Sequence, residues 1–325
     1  MKEVILKLEG VHKKFVATKK SFGKKATFVH ALNDVSLEVY KGETLAIVGE
    51  SGCGKSTLGR VANKILDVEE GKVYFNGSDI THLNTREMLK YRKKMQVIFQ
   101  DPYGSLNPRL KIKDLVGEPL LIHSEMNKVQ RENKVKELLN IVGLSEEHAI
   151  RYPHEFSGGQ RQRVGIARAL SVNPSLIIAD EPISALDVSI QAQVLNIFKE
   201  LQEKYGLTYV FISHDLSVVE MISDRIGVMY LGKLVEIADK KNLYSSPMHP
   251  YTKALLSAIP VTDPTRKRNR IVLKGDIPSP INAPKGCPFS TRCPEVLDVC
   301  KNKMPKLIKK SNSHSVACHL IEKSK

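Results

Sequence analysis

The sequence predicts an α/β fold on a mainly parallel sheet, with a helical insertion and a small, loop-rich, metal-binding carboxy-terminal domain. Three observations carry that expectation. Short apolar runs at residues 45–48, 96–99, 176–179 and 209–212 are interleaved with helical patterns at 56–66 and 189–204. A glycine-rich loop ending in lysine follows the first run. Four of the five cysteines, Cys287, Cys293, Cys300 and Cys318, lie close to the carboxy terminus.

The alternating region runs from residue 42 to 236, and its runs are β-rich and bounded by turn or charged residues. Residues about 101–160 break the rhythm, with a Pro- and Gly-bearing loop at 101–108 and a helical run at 128–142, which predicts the insertion. Beyond residue 236, Pro247, Pro250, Pro260, Pro264, Pro278, Pro280 and Pro284 punctuate the chain and predict a linker and appendage. The expected domains are therefore 1–236 and 237–325. A length of 325 residues suits one large domain plus a smaller attachment.

Apolar residues at 42% and charged residues at 26% exclude a disordered chain. No apolar stretch approaches the roughly 20 residues that cross a bilayer, and the start Met1-Lys-Glu-Val lacks the pattern of a secretion signal. The chain is expected to be cytoplasmic and to touch a membrane only through partners. Fifty Lys and Arg against 35 Asp and Glu give a formal charge of +15, with lysines clustered at 13–25 and basic stretches near 266–270 and after 301. Such an excess suits phosphates, nucleic acid or an anionic surface, or is simply a solvated lysine-rich face.

Gly49-Glu-Ser51-Gly52-Cys53-Gly54-Lys55-Ser56-Thr57 follows a strand-like run and opens a helical one, the setting that a phosphate loop requires. Its glycines let backbone N–H groups turn toward phosphate oxygens, Lys55 neutralises the β- and γ-phosphates, and Ser56 ligates Mg²⁺. Cys53, near a helix N-terminus and Lys55, is expected to have a lowered thiol pKa, so that its alkylation blocks nucleotide binding. Downstream, the apolar run 175–179 ends in Asp180 and Glu181. Neighbouring side chains on a strand point opposite ways, which suits Asp180 to the Mg²⁺ shell and Glu181 to polarising a water.

Phe156-Ser157-Gly158-Gly159-Gln160 resembles the signature sequence of ABC-type ATPases and lies between the phosphate loop and the Asp180-Glu181 strand, as in that family. Gln100, Ser184-Ala-Leu-Asp187 and His214 match the family's Q-loop, D-loop and switch histidine, and Phe15 sits where it carries an adenine-stacking aromatic. Phe156 departs from the common Leu. The resemblance implies an ATPase that works as one half of a pair. Ser157 and Gly159 then serve the partner's γ-phosphate, Gln100 senses Mg²⁺ and links to the membrane subunit, His214 holds the γ-phosphate and water, and Asp187 bridges the two subunits.

In a cytoplasmic protein a cluster of four thiols reads first as a metal site. Spacings of five, six and seventeen intervening residues lack the paired C-x₂-C of most zinc ribbons, and four thiols suit zinc or a four-iron cluster. This region is also similar to the carboxy-terminal region of oligopeptide and dipeptide transporter ATPases. The matching residues are Ser246-Pro-Met-His-Pro-Tyr-Thr-Lys-Ala-Leu-Leu, Gly275-Asp-Ile-Pro-Ser-Pro, Gly286-Cys-Pro-Phe-Ser-Thr-Arg-Cys-Pro and His314-Ser-Val-Ala-Cys-His319. That resemblance implies a [4Fe–4S] cluster on Cys287, Cys293, Cys300 and Cys318, with zinc as the alternative, and ATP-driven peptide import. It further implies a second ABC ATPase subunit, two membrane-spanning permease subunits, an extracytoplasmic peptide-binding protein reached through them, and a place at the inner face of the membrane. Two other classes stand against it. A soluble ABC-type ATPase acting on nucleic acid usually has two cassettes or a long coiled coil, whereas this chain has one phosphate loop and no sustained heptads. A redox or iron-sensing module that only dimerises on nucleotide is opposed by Glu181 and His214.

Overall fold

Short runs of β-branched and aliphatic residues become strands buried on both faces, and their polar borders become the loops that carry the chemistry. The computed structural model describes residues 2–18, 26–259 and 270–322. Residues 19–25 of the lysine cluster, Pro260, Pro264 and the basic residues 266–269 lie outside them. The described residues form two compact units, one of residues 2–5, 40–43 and 82–212, the other of residues 6–39, 44–81 and 213–322.

In the first unit the strands Met95–Ile98, Leu176–Asp180 and Thr208–Ile212 run parallel, with Val97 opposite Ile178 and Asp180 opposite Ile212. Residues 101–157 hold no strand. They contain the helices Ile112–His123 and Lys128–Ile141 and two short 3-10 turns. Side chains fix where the helices begin: Asn84 and Asn127 close reciprocal capping boxes at Thr85–Arg92 and Lys128–Ile141. The helix Val188–Tyr205 ends on left-handed Gly206.

The second unit has two sheets. One is antiparallel, in the order Thr27–Tyr40, Val4–Thr18, Glu70–Phe75, Ser78–Asp79. In the other, the fully buried strand Thr44–Val48 pairs parallel with Arg225–Tyr230. The sheet continues antiparallel through Lys233–Asp239, His314–Val316 and Ile308–Ser311. The carboxy-terminal hairpin thus extends the sheet that carries the phosphate loop. Cys287, Phe289 and Cys300 share one core with Ala46, Val48, Val228, Tyr230 and Tyr251. The cysteine segment is therefore not a free-standing appendage, because its apolar side chains complete this unit's interior.

Two buried titratable groups lie near that hairpin, and one of them, Glu236, pairs with it. The carboxylate of Glu236, fully buried, accepts from the Met248 and His249 amides at 2.7 and 2.9 Å and pairs with His314 Nε2 at 2.7 Å. Burial alone would raise its pKa, but the bonds from His314, Thr252 and the two amides outweigh that and hold it below the usual carboxylate value. His249 is pushed down to about 4, chiefly by burial, with Glu236 opposing and Lys253 reinforcing the shift. Its Nδ1 accepts from the Tyr251 amide at 3.1 Å. Both folded pKa values are depressed, so both contributions are present at neutral pH and are lost as the medium becomes acid. For His249 the loss begins below the unfolded value near 6.5 and is complete near 4, worth up to about 3 kcal/mol. Hydrogen exchange should show residues 251–257, whose helix His249 caps, losing protection between pH 7 and pH 4.5 ahead of strand Leu176–Asp180. Equal retention by both would contradict this.

Candidate functional site

Strand Thr44–Val48 delivers the chain into a loop that only glycine can make at its turning points. Gly49, Gly52 and Gly54 have φ of 151°, 76° and 103°. A Cβ on Gly49 would stand 2.3 Å from the Met229 carbonyl oxygen, and one on Gly54 would stand 2.3 Å from that of Ala31. The helix Lys55–Ala62 begins directly after, so its first amides lie at the loop. Lys55 is buried and its Nζ folds back to donate to the Gly49 and Glu50 carbonyls at 2.8 and 3.1 Å. Ser51 and Gly52 are exposed, and Ser56 and Thr57 half-buried. A cation held by carbonyls over a ring of amides is a receptor for phosphate oxygens.

Cys53 requires a correction. The expected reactive thiol is buried, at 4% exposure, and burial pushes its pKa up, with Lys55 offsetting only part of the shift. Proximity to a helix N-terminus and to Lys55 is outweighed by the desolvation that the folded loop imposes. The ground for expecting facile alkylation of Cys53 is therefore gone.

In the first unit, Asp180 ends its strand buried, and Glu181 turns into the left-handed region at φ 47°. The Glu181 amide donates to Ile212 O at 3.0 Å and its carbonyl accepts from Ser184 Oγ at 3.1 Å. That bend is therefore held on both sides. Gln100, following strand Met95–Ile98, donates through Nε2 to Glu181 Oε2 at 3.0 Å. The structure thus brings together two residues that are 81 positions apart.

Ser157 caps the helix Gly158–Leu170, its Oγ accepting from Gln160 N while Gln160 Oε1 accepts from Ser157 N at 3.0 Å. Gly159 is buried where a Cβ would stand 2.3 Å from Ile190 Cγ2. Asp187 caps the helix Val188–Tyr205, accepting from Ile190 N and Ser189 Oγ at 3.0 and 2.9 Å, bonds that hold its pKa below the usual value. The signature and D-loop helices thus meet at Gly159 and Ile190. Phe156, in place of the common Leu, is buried edge-on to His148, with ring centroids 5.2 Å apart. His214 lies exposed in the second unit beyond strand Thr208–Ile212. Phe15 is exposed on strand Val4–Thr18, with Lys13 Nζ 5.6 Å from its ring.

Cys287, Cys300 and Cys318 are buried and Cys293 half-buried, all as free thiols. Burial pushes Cys287 up to about 12 and Cys293 to about 11, and neighbouring thiols add to both shifts. Backbone hydrogen bonding at Phe289, Glu295, Leu320 and Ile321 opposes the rise at Cys287, Cys293 and Cys318. The thiols are close enough to influence one another, yet among the described residues no group of three or more His, Cys, Asp or Glu is disposed to hold a metal ion. The expected metal-binding appendage is, as it stands, a thiol cluster.

Sequence reading missed three residues beside the phosphate loop. Arg292, between Cys287 and Cys293, donates to both carboxylate oxygens of Glu50 at 2.7 and 3.0 Å, and Tyr251 Oη accepts from the Glu50 amide at 2.9 Å. Opposite charges 242 positions apart carry no local signal that they will pair.

Comparison with known proteins agrees with this geometry. Residues 32–184 match the family described as ABC transporter, and residues 235–300 match the oligopeptide/dipeptide transporter, C-terminal region. The oligopeptide transport ATP-binding protein AppF of Bacillus subtilis is 56% identical, over 98% of this chain and 98% of that protein. The dipeptide transport ATP-binding protein DppF of Haemophilus influenzae is 48% identical, over 95% of each. Among solved structures, the ATP-binding cassette MJ0796, dimeric and bound to ADP and Pi, is 32% identical over 73% of this chain and 99% of that one, with a TM-score of 0.66.

Proposed function

The chain belongs to the ABC transporter family as an ATP-hydrolysing subunit of the oligopeptide/dipeptide type, and from that premise we propose that it drives peptide import as one of two paired cassettes at the inner face of a membrane. The observation that carries this reading is the phosphate loop, with Lys55 bound to loop carbonyls in the bonds described above. Peptide-transport relatives leave the nucleic-acid alternative without support. No helix among the described residues is long and apolar enough to cross a membrane. A family member of this kind works with permease subunits and a second ATPase; the finer arrangement proposed is two permeases and a peptide-binding protein outside. The cassette proper is assigned to 1–236, with its helical insertion at about 101–160, and the peptide-transporter region to 237–325.

Residue roles follow from the chemistry together with what the family resemblance implies. Lys55 and the amides of Gly49, Ser51, Gly52, Cys53, Gly54, Ser56 and Thr57 bind the β- and γ-phosphates, and Phe15 stacks on adenine. Ser56, Asp180 and Gln100 offer hydroxyl, carboxylate and amide oxygen, the hard donors that Mg²⁺ prefers. Mg²⁺ when bound spreads the phosphate charge. Glu181, oriented by Gln100, accepts the proton of the attacking water, and His214 holds water and γ-phosphate. Ser157 and Gly159 serve the partner's nucleotide, and Asp187, already capping its helix, lies at the pair's interface.

Four thiols close enough to influence one another support a metal centre by their number and chemistry, since zinc and iron–sulfur sites both use thiolates, although among the described residues no group of three or more is already disposed to hold an ion. Cys287, Cys293, Cys300 and Cys318 would hold a [4Fe–4S] cluster, which would supply structural closure; zinc is the alternative. Anaerobically purified protein should be brown and contain iron and sulfide. A colourless, folded, metal-free protein would remove the assignment.

The permease contact is assigned to an open groove of about 1080 Å³ in the first unit, where exposed Leu89 and Ile122 lie among Arg86, Lys90 and Lys93, whose charge exceeds that of the lining Glu87 and Glu125. Such a surface suits an apolar permease segment with acidic flanks. Leu89→Glu with Ile122→Glu should abolish co-purification with the permeases and leave basal ATP hydrolysis intact. Retained co-purification would count against the groove.

A further inference from the structure

We propose that Arg292 is a positioning residue for the nucleotide site, holding the phosphate loop in its receptive shape through Glu50. The inference rests on the phosphate loop being the nucleotide site, as read above. Glu50 is the first residue after Gly49, and all of its polar groups are engaged. Its amide donates to Tyr251 Oη at 2.9 Å, its carbonyl accepts from Lys55 Nζ at 3.1 Å, and its two carboxylate oxygens accept from Arg292 at 2.7 and 3.0 Å. One loop residue therefore joins the phosphate-binding lysine to two residues of the carboxy-terminal segment.

The other end of this latch is rigid. The Arg292 side chain is 9% exposed, and its Nη1 also reaches Tyr230 Oη at 3.4 Å. The Tyr230 ring meets Tyr251 and Phe289 edge-on, with centroids 4.8 and 5.3 Å away. A planar guanidinium bound to both oxygens of a carboxylate fixes direction as well as distance, which a lysine would not. The loop that places Arg292 is the one that places the thiols: the Arg292 amide donates to Phe289 O at 3.0 Å, and the Cys287 amide donates to Cys300 O at 2.8 Å. Packing of the cysteine segment is thereby transmitted to the turn that receives phosphate.

Such a hold matters because Gly49, Gly52 and Gly54 give the loop wide conformational freedom. When only a fraction of loops has the receptive shape, apparent affinity falls by that fraction. Breaking the latch should therefore weaken nucleotide binding more than it slows chemistry.

The test uses the full-length protein, with binding of a fluorescent ATP analogue and steady-state ATPase kinetics as readouts. Arg292→Met and Glu50→Gln should each raise Kd and KM for ATP about tenfold with kcat changed far less. The double variant should be no worse than either single one, since both remove one interaction, and Arg292→Lys should fall between wild type and Arg292→Met. Wild-type affinity in both single variants, or effects that add in the double variant, would overturn the proposal. Thiol counting under native conditions reports whether Arg292→Met disturbs the cysteine segment; should it do so, Glu50→Gln, which alters no residue of that segment, decides alone. Lys55→Ala separates this proposal from the reading beneath it. Undiminished ATP binding in Lys55→Ala would sink the nucleotide-site assignment itself, whereas a latch failure alone leaves Lys55→Ala inactive and the latch variants normal.

Discussion

Glu181→Gln should bind ATP as wild type does and hydrolyse it at least about 10²-fold more slowly, the scale of a lost general base. The side chain keeps its size and can still receive the Gln100 Nε2 hydrogen bond, 3.0 Å long in the wild type, through its amide oxygen. What disappears is the capacity to take a proton from water. Gln100→Ala should give a milder loss of kcat, because it removes one hydrogen bond to the Glu181 carboxylate and leaves the carboxylate itself in place. Single-turnover hydrolysis beside equilibrium ATP binding separates the two effects, and full turnover in Glu181→Gln would refute its role.

Lys55→Ala has the larger effect on binding. Its ammonium is buried against the Gly49 and Glu50 carbonyls, and those oxygens would face the phosphates directly once it is gone. Lost attraction and exposed carbonyl dipoles act in the same direction. ATP affinity should drop by about 10²-fold or more, the scale of about 3 kcal/mol for charge-assisted bonds to phosphate. Calorimetric titration with ATP checks it, and an unchanged affinity would show that nucleotide binds elsewhere.

The phosphate loop was legible because every demand on it is local: an apolar strand, glycines at the turns, lysine at the first helical position. The parallel strands at 95–98, 176–180 and 208–212 were legible for a related reason, since burial on both faces leaves unbroken apolar runs. Strands Val4–Thr18 and Thr27–Tyr40 were not picked out, because each has a partly solvated face whose charged residues dilute the apolar pattern. The hairpin strands Ile308–Ser311 and His314–Val316 are short and polar, and only their pairing onto Lys233–Asp239 makes them strands. Cys53 was misjudged because burial is a property of the packed loop, not of its neighbours in sequence. Arg292 and Glu50 escaped notice for the same reason: their pairing exists only once the cysteine segment has packed beside the loop.

The central claim, that hydrolysis by this chain powers peptide import, is tested most directly by reconstituting it with the proposed permeases, a second cassette, either a further copy or a sister chain, and the proposed peptide-binding protein in liposomes and measuring ATP-dependent uptake of a labelled peptide. Uptake should require this chain, should follow its ATPase rate, and should stop with Glu181→Gln. Peptide uptake that proceeds equally well without this chain, or ATP hydrolysis by the full assembly with no uptake of any peptide, would contradict the account.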